Sequence, residues 1–416
     1  MGFFADFHIH SKYSRATSSD MMVDGIARAA KTKGIKLMGT GDFTHPTYFR
    51  ELQQKLNPEG SGLFKYQDTY FMLTTEVSNI YTKNDKIRKI HNVIFVPSFE
   101  DASAINNLLS RYGDLKVDGR PTIALDSEIM VRRIRDVAPS AFIVPAHVWT
   151  PWFSLFGANS GFDSPEECFG DTLENIFALE TGLSSDPPMN WRWSSLDRFA
   201  LISNSDAHSP RNIGREANYF ECKLGYFDII DAIKSKDKEK FKFTVEFFPQ
   251  EGKYHYDGHR KCGTRISPEE AINNNNLCPK CGRPITVGVM HRVIDLSDRG
   301  EGFVPEGAIP CKHLITLHEI IGDALSIGKD SKGVMKEYDT LVYNFDNEFN
   351  VLLNIPQEEL SRVTSHKIAE AIIKVREEKV TVLPGYDGVY GEIKIFEEEE
   401  QKEEGAKEEK QLGLFG

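Results

Sequence analysis

Ala5-Asp6-Phe7-His8-Ile9-His10 sets an HxH at the close of an apolar run. Residues two apart in a strand point the same way, so His8 and His10 share one face. Far along the chain Ser205-Asp206-Ala207-His208 sets a DxH behind a second run, Ala200–Ser203. Imidazole with carboxylate is a ligand set for zinc, manganese or iron. Two such pairs, each ending a buried strand, predict a metal cluster at the carboxyl ends of parallel strands. Other strand-like runs lie at Phe3–Ile9, Ile35–Gly39, Tyr70–Val77, His91–Pro97, Ala141–Ala146 and Ile176–Leu179. Helical stretches separate several of them. Ser19-Asp20 is expected to cap a helix over 21–33 that ends at Gly34, and Asp126-Ser127 to start another that stops at Ala138-Pro139. Alternating strands and helices predict an α/β fold with a parallel sheet. About seven repeats predict a barrel whose functional groups gather where strands end.

The chain has 416 residues, 40% of them hydrophobic and 27% charged, a composition for a globular protein with a large core and more than one domain. No apolar run approaches the roughly 18 residues of a membrane span, and the opening residues do not read as a signal peptide. A cytoplasmic, nucleoid-associated location with no membrane partner is expected. Cys278 and Cys281 form a CxxC, read as metal ligation in a reducing compartment. The net charge of −12 argues only mildly against nucleic acid, since residues 397–410 hold eight Glu and three Lys and so carry −5 of it.

Polar groups at the other strand ends extend the cluster. Asp42 follows the second strand in Gly39-Thr40-Gly41-Asp42, Glu76 sits at the end of Leu73-Thr74-Thr75-Glu76-Val77, His91 opens a strand and His147 ends one. His8, His10, Asp42, Glu76, His91, His147, Asp206 and His208 are eight candidate ligands, more than one ion uses, which predicts two or three divalent ions (Zn, Mn, Mg or Fe) with Glu76 as the bridge. Ions about 3.5–4 Å apart can activate water and neutralise phosphate charge without a protein nucleophile. His8, His10, Asp206 and His208 are the expected catalytic residues, with His208 or His10 as a general acid.

In the order HxH, a short acidic motif, Glu, His, His, DxH, the chain resembles the polymerase-and-histidinol-phosphatase (PHP) superfamily. That resemblance implies a distorted (β/α)7 barrel, a trinuclear metal site and hydrolysis of phosphate esters. Two departures stand out. Ser14-Arg15 occupies the place of an acidic or His residue, and Asp42 stands where Thr-Asp-His would put an imidazole, a gap that His45 could fill.

His259-Arg260-Lys261-Cys262-Gly263 and Cys278-Pro279-Lys280-Cys281-Gly282 are near-copies, two ligands three apart followed by a turn glycine. They predict a structural zinc held by His259, Cys262, Cys278 and Cys281, with His255 as a rival fourth ligand. The expected division is a barrel over 1–225, a connector over 226–250, a zinc module over 251–290, a helical C-terminal domain over 291–396 (helices near 312–328, 335–346 and 364–379) and a disordered acidic linker over 397–410. All four tryptophans fall in two loops near the ligands. Trp149, Trp152, Phe153, Trp191 and Trp193 are candidates for stacking on a base, loop packing being the alternative. Lys12, Arg15, Lys83 and Arg88 are candidates for gripping a phosphate backbone.

The whole layout, through Pro384-Gly385-Tyr386-Asp387-Gly388, resembles the endonuclease Q family, most specifically over Asp6–Ser11, Gly39–Pro46, Pro145–Phe153, Glu180–Trp193, Ser203–His208 and His255–Gly288. The resemblance implies nicking of DNA 5′ to deaminated bases (uracil, hypoxanthine, xanthine) and abasic sites. Gln411-Leu412-Gly413-Leu414-Phe415, within 411–416, resembles the pentapeptide that docks into bacterial sliding clamps (the β subunit) and favours a bacterial source. Gln411, Leu412, Leu414 and Phe415 would make that contact. The expected partners are therefore damaged DNA and the clamp, met by a monomer. A PHP phosphatase acting on a small phosphomonoester and a non-catalytic clamp adaptor are the competing readings.

Overall fold

In the computed structural model, which describes residues 2–396, seven strands form a ring. They are β1 (Phe3–Asp6), β2 (Ile35–Gly39), β3 (Thr69–Lys83), β4 (Lys86–Val96), β5 (Phe142–Pro145), β6 (Ala178–Glu180) and β7 (Ala200–Ile202). β1, β2 and β3 run parallel, with Ala5 beside Leu37 and Leu37 beside Tyr70. β6 and β7 are also parallel, and Val148 N donates to Glu180 O at 3.0 Å across the β5–β6 gap. A parallel bridge from Ile9 to Ala207 returns the ring to β1. The interior is filled by side chains such as Phe7, Leu37, Met72, Phe95, Val144 and Ile202, as in barrels that are packed cores rather than pores.

One strand breaks the expected all-parallel order. β3 and β4 are joined by Asn84-Asp85 at φ +53° and +56°, the left-handed pair of a two-residue hairpin turn. A hairpin needs no crossover helix, so β4 runs antiparallel, with Glu76 opposite Val93. His91 therefore lies inside a long strand instead of opening one. It sits diagonal to Glu76 on the same face, near enough for their side chains to meet.

Helix Val23–Lys33 starts beyond the Ser19-Asp20 pair expected to cap it and ends at Gly34 with φ +89°. Helix Ser127–Val137 is capped as expected, Glu128 N donating to the Asp126 side chain at 2.8 Å. The 226–250 stretch, expected as a connector, is a helix (Tyr226–Ser235) and a strand, β9 (Phe241–Glu246). β9 pairs antiparallel with β8 (Ala217–Phe220), itself antiparallel to β1, and β10 (Cys311–His313) joins β9 in parallel. The C-terminal region is thus stitched into the barrel's own sheet. Its helices at Leu317–Ala324, Lys332–Asn344 and His366–Arg376 fall near the expected ones, with a short helix Glu348–Leu353 between. That short helix is pinned to the barrel by Phe349 stacked on Phe4 at 4.1 Å and by a buried ion pair, Lys33 Nζ to Glu348 at 2.6 Å. Among the described residues no helix is long and apolar enough to cross a membrane. The acidic stretch 397–410 and the clamp-like peptide with Gln411, Leu412, Leu414 and Phe415 lie outside the described residues.

Candidate metal centre

Glu76, in the middle of β3, is the hub. Its Oε1 lies 2.6 Å from His91 Nδ1 and 3.1 Å from His147 Nε2. Its Oε2 lies 3.4 Å from His8 Nε2 and 3.1 Å from His10 Nε2. Asp206 Oδ1 completes the second group, 3.1 Å from His10 Nε2 and 3.7 Å from His8 Nε2. Two sets of ligand atoms therefore converge, His8–His10–Glu76–Asp206 and Glu76–His91–His147, each within 4.8 Å and sharing the bridging carboxylate. His8 Nε2, His10 Nε2 and Asp206 Oδ1 are buried without a hydrogen-bond partner. Buried polar atoms left unpaired are costly. A cation among them would satisfy all three, so the residues present fit a divalent metal.

The electrostatics fit as well. Burial, the largest influence on His8, opposes its positive charge, yet the Glu180 and Glu76 carboxylates outweigh it and hold the imidazole well above its ordinary pKa. Burial likewise works to raise Glu76, but His91, Arg120 and His8 outweigh it and hold the carboxyl well below the usual range. Burial pushes His91 down to about 4. Ligands must be proton-free to bind a metal, so a cation displaces protons from the imidazoles this site charges. Asp42, His147 and Asp206 adopt φ of +47°, +32° and +46°, sparsely populated backbone of the kind that collects at functional sites.

A second layer aims the ligands. Both oxygens of Glu180 lie 3.0 Å from His8 Nδ1. One of them also accepts His147 N at 2.9 Å and the other Asn204 Nδ2 at 2.8 Å. Such partners fix the tautomer and ring orientation of a ligating histidine. Sequence reasoning missed Glu180, though Phe177-Ala178-Leu179-Glu180 closes an apolar run with an acid. It also missed Arg120, whose Nη1 lies 3.1 Å from Glu76 Oε2 and which no periodic signal marks.

Asp42, expected as a ligand, stands behind His10 instead. It is 3.0 Å from His10 Nδ1, and its other oxygen accepts Ser11 N, Ser11 Oγ and Ser14 Oγ at 2.6, 2.6 and 2.9 Å. With His10 Nε2 turned to the cluster, Asp42 can reach only the far nitrogen, and Ser14 is part of the grip that holds it there. His45 does not replace the missing imidazole. It receives Tyr48 N at the start of helix Pro46–Lys55 and stacks on Tyr13 at 4.3 Å. His208 lies at the rim, 30% exposed, its ring 4.5 Å from that of His10 and its Nδ1–H donating to Asp206 O at 2.9 Å.

His259, Cys262, Cys278 and Cys281 form a second convergent group. Gly263 and Gly282 follow the knuckles at φ +57° and +68°, where an added Cβ would meet nothing within 4 Å, so backbone conformation rather than crowding calls for glycine. His255, the rival ligand, is buried elsewhere and stacked on Tyr256.

The aromatic candidates divide. Trp149 is buried, gives its indole N–H to Asn190 Oδ1 at 2.8 Å and packs with Phe156 and Trp193. These rings form loop core and offer no stacking face. Trp191 is half-buried. Trp152 remains 43% exposed, edge-on to Tyr254 at 5.4 Å, and Phe153 sits 4.9 Å from the His91 ring. Lys83 and Arg88, expected on phosphates, are internally committed. Lys83 bridges Asp126 and Glu128 at 3.3 and 3.2 Å, and the buried Arg88 lies over Phe162 and donates to Gly161 O. Arg15 is 80% exposed beside Asp118, and Lys12 lies near Glu51 at the same rim.

Comparison with known proteins covers nearly the whole chain. A family model described as the MJ0043 C-terminal domain matches residues 316–379. The uncharacterised protein YqxK of Bacillus subtilis is 30% identical over 408 residues, 94% of this chain and 99% of that one. The lesion-specific endonuclease PfuEndoQ of Pyrococcus furiosus superposes with a TM-score of 0.86 at 34% identity, over 96% of each chain. A solved complex of endonuclease Q with a 27-mer duplex substrate, an abasic lesion at its active site, superposes with a TM-score of 0.85 at 34% identity, over 96% of this chain and 98% of that one.

Proposed function

This chain belongs to the endonuclease Q family, and from that premise we propose that it is a metal-dependent DNA repair endonuclease, a hydrolase that cuts the phosphodiester bond 5′ to deaminated bases and abasic sites. The observation that carries the reading is the trio of buried, unpartnered ligand atoms around the Glu76 bridge. Divalent ions held there would supply Lewis-acid chemistry, polarising phosphoryl oxygens and lowering the pKa of water. The protein's part is to fix the ligands: Glu180 aims His8, Asp42 aims His10, and Glu76 spans both sets. His208 serves proton movement. Its Nδ1–H is committed to the Asp206 carbonyl, and burial lowers its pKa. A neutral ring with a free Nε2 lone pair suits a proton acceptor for attacking water better than the general acid first expected. Arg15 and Lys12 would meet backbone phosphates, and the Cys3His knuckles would hold one structural zinc.

A labelled duplex carrying one uracil tests this. With magnesium or manganese, a single nick 5′ to the uracil is expected. Hydrolysis of p-nitrophenyl phosphate without nicking would instead indicate a phosphatase, and binding without cleavage an adaptor. Gln411-Leu412-Gly413-Leu414-Phe415 would tether the enzyme to a sliding clamp and raise its local concentration on DNA. Deleting 411–416 should leave nicking of short duplexes intact and remove co-elution with the clamp; continued co-elution would place the docking peptide elsewhere.

A further inference from the structure

Glu76 Oε2 has two claimants. It belongs to the ligand set His8–His10–Glu76–Asp206, and it accepts Arg120 Nη1 at 3.1 Å. The guanidinium charge is drawn chiefly by Glu76 and then by Asp206, the two carboxylates of that set. Arginine cannot shed its charge by losing a proton. A cation among these ligands would therefore sit close to a permanent positive charge, and the two repel strongly where water is scarce.

The backbone that carries Arg120 is fixed. Gly119 N donates to Tyr13 O at 3.0 Å, Gly119 O accepts Thr44 Oγ1 at 3.1 Å, and Arg120 N donates to Asp118 Oδ1 at 3.1 Å. A Cβ added at Gly119 would come within 2.2 Å of Asp42 Oδ2 and 2.3 Å of Ser14 Oγ. The segment is thus wedged against the carboxylate that aims His10. The side chain has more freedom. It is 29% exposed and lines a cavity of about 370 Å³ beside His91 and Phe153. Arg15 lines the same cavity, as do Asp114 and Asp118, the last paired with Arg15 at 3.3 Å. Two guanidiniums facing one cavity next to a metal centre suit a phosphate, whose oxygens match the arginine fork.

We propose that Arg120 is a phosphate-operated lock on the metal centre: without substrate it holds Glu76 and weakens ion binding at this ligand set, and a nucleic-acid phosphate draws it into the cavity and frees Glu76 for the ion. Phosphate and metal then strengthen each other's binding by the same factor, so full loading is tied to the substrate. Direct contact between ions and phosphate would also couple the two. A variant without the guanidinium isolates the share that Arg120 carries.

The source of the phosphate rests on the endonuclease reading, but the first test needs no DNA. Full-length wild type and Arg120→Gln would be titrated with Mn2+, the free ion being read by its EPR signal. Without DNA the variant should bind the more weakly held ion about tenfold more tightly than the wild type. The titrations would be repeated with an abasic duplex already nicked 5′ to the lesion, bearing either phosphate or hydroxyl at that 5′ end. Phosphate should tighten the ion at least about tenfold in the wild type and less than about threefold in the variant. Equal affinities of the two proteins without DNA, or equal gains from phosphate, overturn the lock. Should the variant fail to fold, a crystal structure of the wild type with Mn2+ and the phosphorylated duplex decides: Arg120 on the phosphate supports the lock, and Arg120 still on Glu76 overturns it. A wild type that nicks neither uracil nor abasic duplexes removes the endonuclease reading, while the DNA-free comparison still reports on Arg120.

Discussion

Asp206→Asn is expected to lower nicking by roughly a thousandfold or more while the protein stays folded. Asp206 Oδ1 is one of the three orphaned atoms, 3.1 Å from His10 Nε2 and 3.7 Å from His8 Nε2. An amide keeps the shape and removes the charge that a divalent ion requires. Asparagine is the right replacement because the backbone stands at φ +46°, a region Asn enters readily and alanine does not. Lost cleavage then reports ligation and not a disturbed turn. Single-turnover nicking, metal content of the purified protein and a thermal melt decide it. The variant should lose activity and metal together with a melting temperature within a few degrees of the parent. Retained nicking, within tenfold of the parent, would remove Asp206 from the ion's coordination.

The ring and the convergence of its candidate ligands are legible because strands announce themselves by apolar runs and such side chains by their place at strand ends. His8, His10, His147 and Asp206 each sit there, and the period-two rule alone puts His8 and His10 on one face. Four departures have separate causes. The antiparallel β4 was hidden by Asn84-Asp85, a turn signal set in a charged stretch and overlooked in favour of the βα rhythm. Asp42 is expected as a ligand and Glu180 is passed over because residue type cannot tell a carboxylate that binds an ion from one that aims an imidazole. Only the direction of His10 Nε2 and His8 Nδ1 decides that. Residue type makes Lys83, Arg88, Trp149 and Trp193 candidates for DNA, with loop packing the alternative for the tryptophans, but burial depends on contacts made by distant segments such as Gly161, Phe162 and Asn190. The strands at Phe241–Glu246 and Cys311–His313 went unseen because a three- to six-residue strand in a polar stretch carries too little periodicity to stand out.

Cys278→Ser combined with Cys281→Ser should release the zinc proposed for the module and unfold 257–286 locally. Ile266, Ala271, Cys278 and Ile285 are the buried core beneath the knuckles, far too little apolar area to offset the entropy of ordering such a segment. The metal must supply the difference. Structural zinc contributes on the order of 10 kcal/mol in small knuckle modules, so serines should leave the segment exchanging its amide hydrogens at nearly unprotected rates while the barrel strands stay protected. The damage should also spread along a defined route. Asp387 receives Arg260 N and Thr286 Oγ1, each at 2.6 Å, so the hairpin Thr381–Leu383/Glu392–Lys394 should loosen with the module. The Glu76 cluster touches none of these residues, and its metals should stay bound. Native-state hydrogen exchange with metal analysis checks all of this on one preparation. Unchanged protection over 257–286 after zinc loss would mean that the knuckles are held by packing and that the ion is incidental to the fold.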